Sequence, residues 1–373
     1  ERRFFTSFQK SGYHRKLSEI EDKNAVLENV TGGDVSFNLS RFKIGLSGIY
    51  YSYDAERSHD TVANNMYEFR GKENMNFGLH YQFQLGNFYF FGEESTSAGK
   101  DFAFLNGVRG NIAQGVSLSL LHRYYQPEYA AVYSGALSEN SSNQNEEGWY
   151  LGLKTELVSD LTASMYLDVY RFPWLRFNAD SPTEGCEYLA DLSYSLGDKG
   201  RLSARLKSDI KGKNFIQEDS FVNRVYRKNK QSYRLHFNYI LSDQFMLRNR
   251  IAMSRYAHGE NDEEGWMVFQ DLRYSFKNLP LKFDFRYAVF DTDSYNTRIY
   301  AYEHDLLYAF SIPAYYSKGF RTYLTVHYNR KKFDVWFKIS RFFFAEKEEI
   351  SSGAQAIEGN QKTDLKLQLM FKW

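Results

Sequence analysis

The sequence predicts an all-β protein: an antiparallel transmembrane outer-membrane β-barrel. Three observations predict it. The last ten residues, Asp364–Trp373, alternate strictly, with Leu365, Leu367, Leu369, Phe371 and Trp373 on one face and Asp364, Lys366, Gln368 and Lys372 on the other. Segments of about ten residues with this alternation recur along the chain, as lipid on one side and a wet lumen on the other require. The connections between them alternate between tight turns and long polar loops, the asymmetry of periplasmic turns and extracellular loops.

Taken in order, Arg2–Gln9 is expected as a first strand. Gly33–Phe42 sets Val35, Phe37 and Leu39 against Asp34, Ser36 and Asn38, and Lys43–Tyr53 follows. Glu73–Phe83 sets Met75, Phe77, Leu79, Tyr81 and Phe83 against Asn74, Asn76, His80 and Gln82. Trp149–Leu157, Tyr233–Leu241 and Leu281–Val289 repeat the pattern. Tight turns are expected near Arg41–Lys43, Leu85–Asn87, Asn111–Gly115, Ser159–Leu161, Gly197–Gly200, Ser242–Gln244, Lys277–Pro280 and Arg330–Lys332. Long loops are expected at Asp54–Lys72, Pro127–Glu146, Pro173–Glu184, Lys213–Asn229, Ala257–Glu263 and Ala345–Lys362. The stretch Asp291–Gly319 breaks the rhythm. Read as an extracellular or lumen-folded excursion, it returns the C-terminus to the periplasmic side and gives about 18 strands in one barrel domain over residues 1–373.

Composition agrees. The 373 residues include 30 Tyr and 32 Phe, which favour strands and interfacial girdles, and only 5 Pro, which would break ladders. Mean hydropathy is −0.58, because half of each strand and the loops are polar. No run of about 18 apolar residues exists to form a membrane helix. The net charge of +1 gives no global attraction to nucleic acid. The lone Cys186 excludes an internal disulfide framework and a cysteine metal site. The chain opens ERRFF, without an initiator Met, and is expected to be a processed or truncated form.

Five segments carry a resemblance: Phe5–Ala25, Ser138–Leu153, Phe172–Leu189, Phe290–Gly319 and Ser351–Leu369. Together they resemble the C-terminal barrel region of a Bacteroidota family of helix-hairpin-helix (competence-type DNA-binding) outer-membrane proteins. The resemblance implies a longer protein, with a periplasmic helix-hairpin-helix segment and further strands before this region. Nothing in Glu1–Trp373 reads as helix-hairpin-helix, so the resemblance implies nucleic-acid contact only through a segment outside this chain.

Two groups of residues are candidates for function. On the polar face of successive strands, Arg205, Lys207, Arg234, His236, Arg248, Arg250, Arg273, Lys282 and Arg286 line up as a basic wall, since neighbouring strands lie about 4.8 Å apart. Such a wall suits anionic cargo or an acidic plug. It equally suits a neutralised network holding inward-folded loops, and Asp209, Asp271 and Asp284 nearby favour that second reading. Within the excursion, Tyr295, Tyr300, Tyr302, Tyr308, Phe310, Tyr315 and Tyr316 are too apolar for a bare solvated loop and suggest a lid or docking segment. Asp291, Asp293 and Asn296 lack the Gly and distal Glu of a calcium loop.

No nucleophile elbow, HExxH or phosphate loop occurs, so no enzyme, metal or cofactor is expected. His80, His122, His236 and His327 are expected as lumen or girdle residues. The expected partners are the lipid bilayer and periplasmic or extracellular proteins. Three functions fit: the membrane component of a macromolecular transport or assembly system, including a DNA-related one; a plugged docking barrel; and a general porin.

Overall fold

Alternation of polar and apolar residues becomes long ladders. The computed structural model describes residues 3–8, 12–215 and 223–372. Its main sheet has 18 strands. They are β1 (Phe4–Phe5), β2 (Glu28–Leu39), β3 (Phe42–Arg57), β4 (Gly71–Leu85), β5 (Phe88–Ser97), β6 (Asp101–Ala113), β7 (Val116–Tyr125), β8 (Glu146–Val158) and β9 (Leu161–Phe172). There follow β10 (Thr183–Ser195), β11 (Gly200–Phe215), β12 (Arg224–Ser242), β13 (Phe245–His258), β14 (Asn261–Ser275) and β15 (Leu281–Thr292). Two-residue strands β16 (Ile299–Tyr300) and β17 (Ala314–Tyr315) form a separate hairpin before β18 (Lys318–Asn329) and β19 (Phe333–Phe344). A second hairpin, β20 (Glu349–Ile350) with β21 (Ile357–Glu358), precedes β22 (Gln361–Phe371). Apart from β1, every main-sheet strand has 10 to 19 residues, enough for a tilted strand to cross a bilayer.

The chain divides into two compact units. Unit 1 comprises residues 1–155, 165–188 and 210–227. In it β2 to β8 pair consecutively and antiparallel. Unit 2 comprises residues 156–164, 189–209 and 228–373. In it β12 to β15, then β18, β19 and β22, pair in the same way.

Burial is inverted relative to a water-soluble protein. Among the described residues no Leu and no Val is buried. Instead Leu, Val and Phe side chains line the exposed face: Val35, Phe37 and Leu39 on β2, Met75, Phe77 and Leu79 on β4, Leu365, Leu367, Leu369 and Phe371 on β22. The opposite face buries Arg123, Asp168, Asp271, Arg286, Arg321 and Lys338. Such an exposed apolar band is stable only against hydrocarbon. The fold is therefore an antiparallel transmembrane β-barrel of the outer-membrane type.

Three sequence expectations change. The expected first strand Arg2–Gln9 is, in its described part, only β1, which runs parallel to β3 at Glu56 and Arg57. Tertiary contacts decide this: Arg3 pairs with Asp54 at 3.0 Å, and Phe5 and Phe8 pack edge-on or tilted against Tyr53. Arg2 and Gln9 lie outside the described residues. The expected loop Ala257–Glu263 is a two-residue turn, because the β13–β14 ladder runs on to His258 and Asn261 and Gly259 supplies the φ of +60°. Loop Lys213–Asn229 shrinks for the same reason, since β11 reaches Phe215 and β12 starts at Arg224. Trp373 lies outside the described residues.

Candidate functional site

The segment between β15 and β18, residues 293–317, is anchored to the surrounding strands at two levels. Its outer part is held by apolar contact. Tyr315 and Ala301 are buried with Ala252, Met267, Phe269, Ala288, Phe290, Phe342 and Phe344, all on the inner face of the surrounding strands. Tyr315 meets Phe290 and Phe342 edge-on at 5.5 and 5.7 Å.

Its inner part, Glu303-His304-Asp305, is held by charge. Glu303 is 0% exposed. Its carboxylate accepts from Arg321 Nε at 2.5 Å and Nη2 at 2.8 Å, and from the Tyr315 hydroxyl at 2.8 Å. Lys338 Nζ lies 3.5 Å from Glu303 and donates to the His304 carbonyl at 2.8 Å. Asp305 pairs with Lys366 at 2.7 Å and Lys338 at 3.5 Å. The His304 imidazole receives Arg248 and Arg273 at Nε2, at 2.7 and 2.9 Å.

These contacts set protonation. Burial opposes the charge on Glu303, but the Arg321 hydrogen bonds and the Arg321 and Lys338 charges outweigh it and hold the carboxyl below its ordinary range. Burial also opposes the Asp305 charge, and Lys366, the Leu306 N–H and Lys338 outweigh it in the same direction. Burial, reinforced by Arg273, Arg248 and Lys282 against Asp284, pushes His304 down to about 4. The imidazole is therefore neutral near pH 7, as an acceptor from two guanidiniums must be.

The nine residues of the predicted basic wall all fall in unit 2, with different fates. Arg205 pairs with Asp191 at 2.7 Å, Arg273 with Asp284 at 2.5 Å, and Arg286 with Asp271 through two bonds of 2.5 and 2.7 Å. Arg248 meets His304, and Arg250 Nε reaches His236 at 3.5 Å. Arg234 and Lys282 have no carboxylate within 4 Å among the described residues. Lys207 lies on the same strand as Arg205. The predicted lid residues also divide. Tyr315 is buried, and Tyr316 packs edge-on against Tyr295 and tilted against Phe344. Tyr302 packs on Phe310 at 5.7 Å, Tyr300 accepts from Arg298, and Tyr308 stands 92% exposed.

Unit 1 has its own anchor. Arg123, 0% exposed, bonds Glu146 at 2.5 Å and Asp168 at 2.9 Å. Glu146 in turn accepts the Glu139 and Asn140 backbone N–H groups at 2.9 and 2.8 Å, holding the loop 126–145. That loop is tied further by Asn76 to the Ala130 carbonyl and by Asn145 to the Trp174 carbonyl. Gly148 makes room for the hub, since a Cβ there would lie 2.7 Å from Arg123 Cζ. Of the four expected histidines, His122 stacks on Trp149 and His327 on Trp336, His80 bonds Asp34, and His236 faces Arg250.

The sequence reading missed Glu303, Asp305, Arg321, Lys338 and Lys366, and the Arg123–Glu146–Asp168 hub. A signal existed: Phe269, Phe290, Phe342 and Phe344 fall on the polar register of their strands, where an apolar residue needs an inward cover.

No protein-family model matches this chain. No curated protein matches it. Solved structures of similar fold include the copper transporter OprC, with TM-score 0.49 and 9% identity over 85% of this chain and 60% of that one. Another is the siderophore receptor PirA from Acinetobacter baumannii, with TM-score 0.41, 10% identity and coverage of 93% and 71%. A third is an anion-selective porin from Comamonas acidovorans, with TM-score 0.39, 11% identity and coverage of 92% and 99%. The chain thus spans about 60% of the length of the copper transporter.

Proposed function

We propose that this chain is the non-enzymatic membrane component of a macromolecular transport or assembly system, with residues 293–317 as its internal lid. One observation carries the reading. The lid is clamped to the inner wall through Glu303 and Asp305, that is, through charge pairs made by a connection and not by a strand. Such a clamp is specific in register and releasable without unravelling the ladders behind it. The resemblance of Phe290–Gly319 and four other segments to helix-hairpin-helix outer-membrane proteins supports a DNA-related version, with the nucleic acid handled by a segment outside this chain.

Single-channel recording in planar bilayers, with pull-down from native membranes, tests this. The expected result is little current at rest, a conducting state when the clamp is broken, and a stable periplasmic or extracellular protein partner. A large steady current in the unmodified protein would make it a general porin. Partner capture with no conducting state under any clamp mutation would leave a docking barrel.

A further inference from the structure

The β12–β13 register places His236 opposite Arg250 and Asn238 opposite Arg248. These four side chains line an open cavity of about 550 Å³ in unit 2, bordered also by the turn 195–201, Phe269 and Tyr302. The charges facing it do not balance. Lys199, Arg201, Arg248, Arg250 and Arg286 meet only Asp198 and Asp271. Asp271 is already committed to Arg286 by two bonds. Among the described residues Arg248 bonds the His304 imidazole and Arg250 bonds His236 at 3.5 Å. Neither has a carboxylate within 4 Å among the described residues. Arg250 and Arg286, from the strands on either side of β14, both lie over the Phe269 ring, at 5.1 and 3.7 Å from its centroid. The Asn238 side-chain oxygen is buried beside the His236 imidazole, and a half-turn of the carboxamide would put its N–H donors in the oxygen's place.

We propose that this cavity binds an oxyanion of the phosphate or carboxylate class, gripped by Arg248 and Arg250 with Asn238 completing the donors. Guanidinium forks match such anions bidentately, and charge-assisted bonds of this kind are about twice as strong as neutral ones. An arriving anion also relieves the mutual repulsion of cations held within one low-dielectric wall. Of the nearby carboxylates, Asp271 serves Arg286, Asp284 serves Arg273, and Glu303 serves Arg321 and Lys338, which leaves Asp198 on the turn as the one lining carboxylate without such a partner among the described residues, against Lys199, Arg201, Arg248 and Arg250. Arg248, Arg250 and Asn238 sit on strands, while Tyr302 and the His304 that engages Arg248 belong to residues 293–317, so the site as described is that of the docked segment.

Titration calorimetry on the detergent-solubilised full chain, with inorganic phosphate in one arm and citrate in the other, tests it. At about 50 mM salt, saturable binding is expected in at least one arm. Binding of phosphate alone or citrate alone supports the site and assigns the class. Arg248→Gln and Arg250→Gln should each weaken binding at least tenfold, while Arg171→Gln, on the other unit, should leave it unchanged. Unchanged heat-modifiable migration on gels checks that each variant is folded. If a misfolded Arg250→Gln defeats the comparison, Asn238→Leu is read instead, with the same tenfold loss expected. No saturable heat in either arm, or equal affinity in the folded variants, overturns the proposal.

Discussion

Glu303→Ala is the sharpest perturbation of the lid. Glu303, Arg321 and Lys338 are 0%, 4% and 2% exposed. The substitution leaves Lys338 with Asp305 and the His304 carbonyl, but strips Arg321 of its one carboxylate among the described residues. Breaking a buried pair by removing one partner costs about 3–5 kcal/mol. The ladders of β18 and β19 do not use Glu303, so the cost falls on docking of residues 293–317. At about 1.4 kcal/mol per tenfold, docking weakens by roughly two to three and a half orders of magnitude. Hydrogen exchange read by mass spectrometry measures this directly. Amides of 293–317 should lose protection by about that factor, while amides of β18 and β19 change far less. Glu303→Ala combined with Arg321→Met removes both charges and should recover much of the loss, because deleting a buried pair whole is near neutral. Unchanged protection in the single variant, or the same loss in both, would refute the clamp.

Other expectations concern both units. Arg123→Met leaves Glu146 and Asp168 buried and unpaired, and thermal unfolding in detergent should show a loss of about 3–5 kcal/mol. Leu367→Arg puts a charge on the lipid face and should cost roughly 2–4 kcal/mol near the bilayer midplane, seen as reduced insertion into liposomes; full insertion would contradict the lipid face. Acid should release the lid. His304 is depressed to about 4 from an ordinary value near 6.5, so the undocked state binds the proton more readily. Docking is therefore strongest above about pH 6.5 and weakens from there down to about 4. Glu303 and Asp305, also depressed, add a further loss below the ordinary carboxylate range. Channel current that rises between pH 7 and 4.5, and does so less steeply in His304→Gln, is the expected record.

Period-two alternation made the strands and most turns legible, because a lipid face tolerates no polar residue and a one-residue slip would expose one. Val35, Phe37 and Leu39, or Leu365, Leu367 and Leu369, need no tertiary information to be placed. The ends were less legible. Arg2–Gln9 carries enough aromatic character for a strand, yet contacts to Tyr53 and Asp54 hold its described part as a short parallel edge. The wall's cations were visible as an inward register, but their partners were not. Asp271 with Arg286 is a cross-strand pair that register could supply. Glu303 with Arg321 joins a connection to a strand 18 residues on, and no local pattern encodes where a connection folds.

The clamp divides its charges unequally between moving and fixed parts. Glu303 and Asp305 belong to the connection, whereas Arg321, Lys338 and Lys366 belong to strands. Any motion that lifts the connection away carries both negative charges with it and leaves three positive ones on the wall. Opening then changes ion selectivity as well as conductance: the released surface attracts anions, and its field reaches about 8 Å at physiological salt. Reversal potential under a salt gradient would thus report the position of the lid, shifting toward anion preference as the current grows.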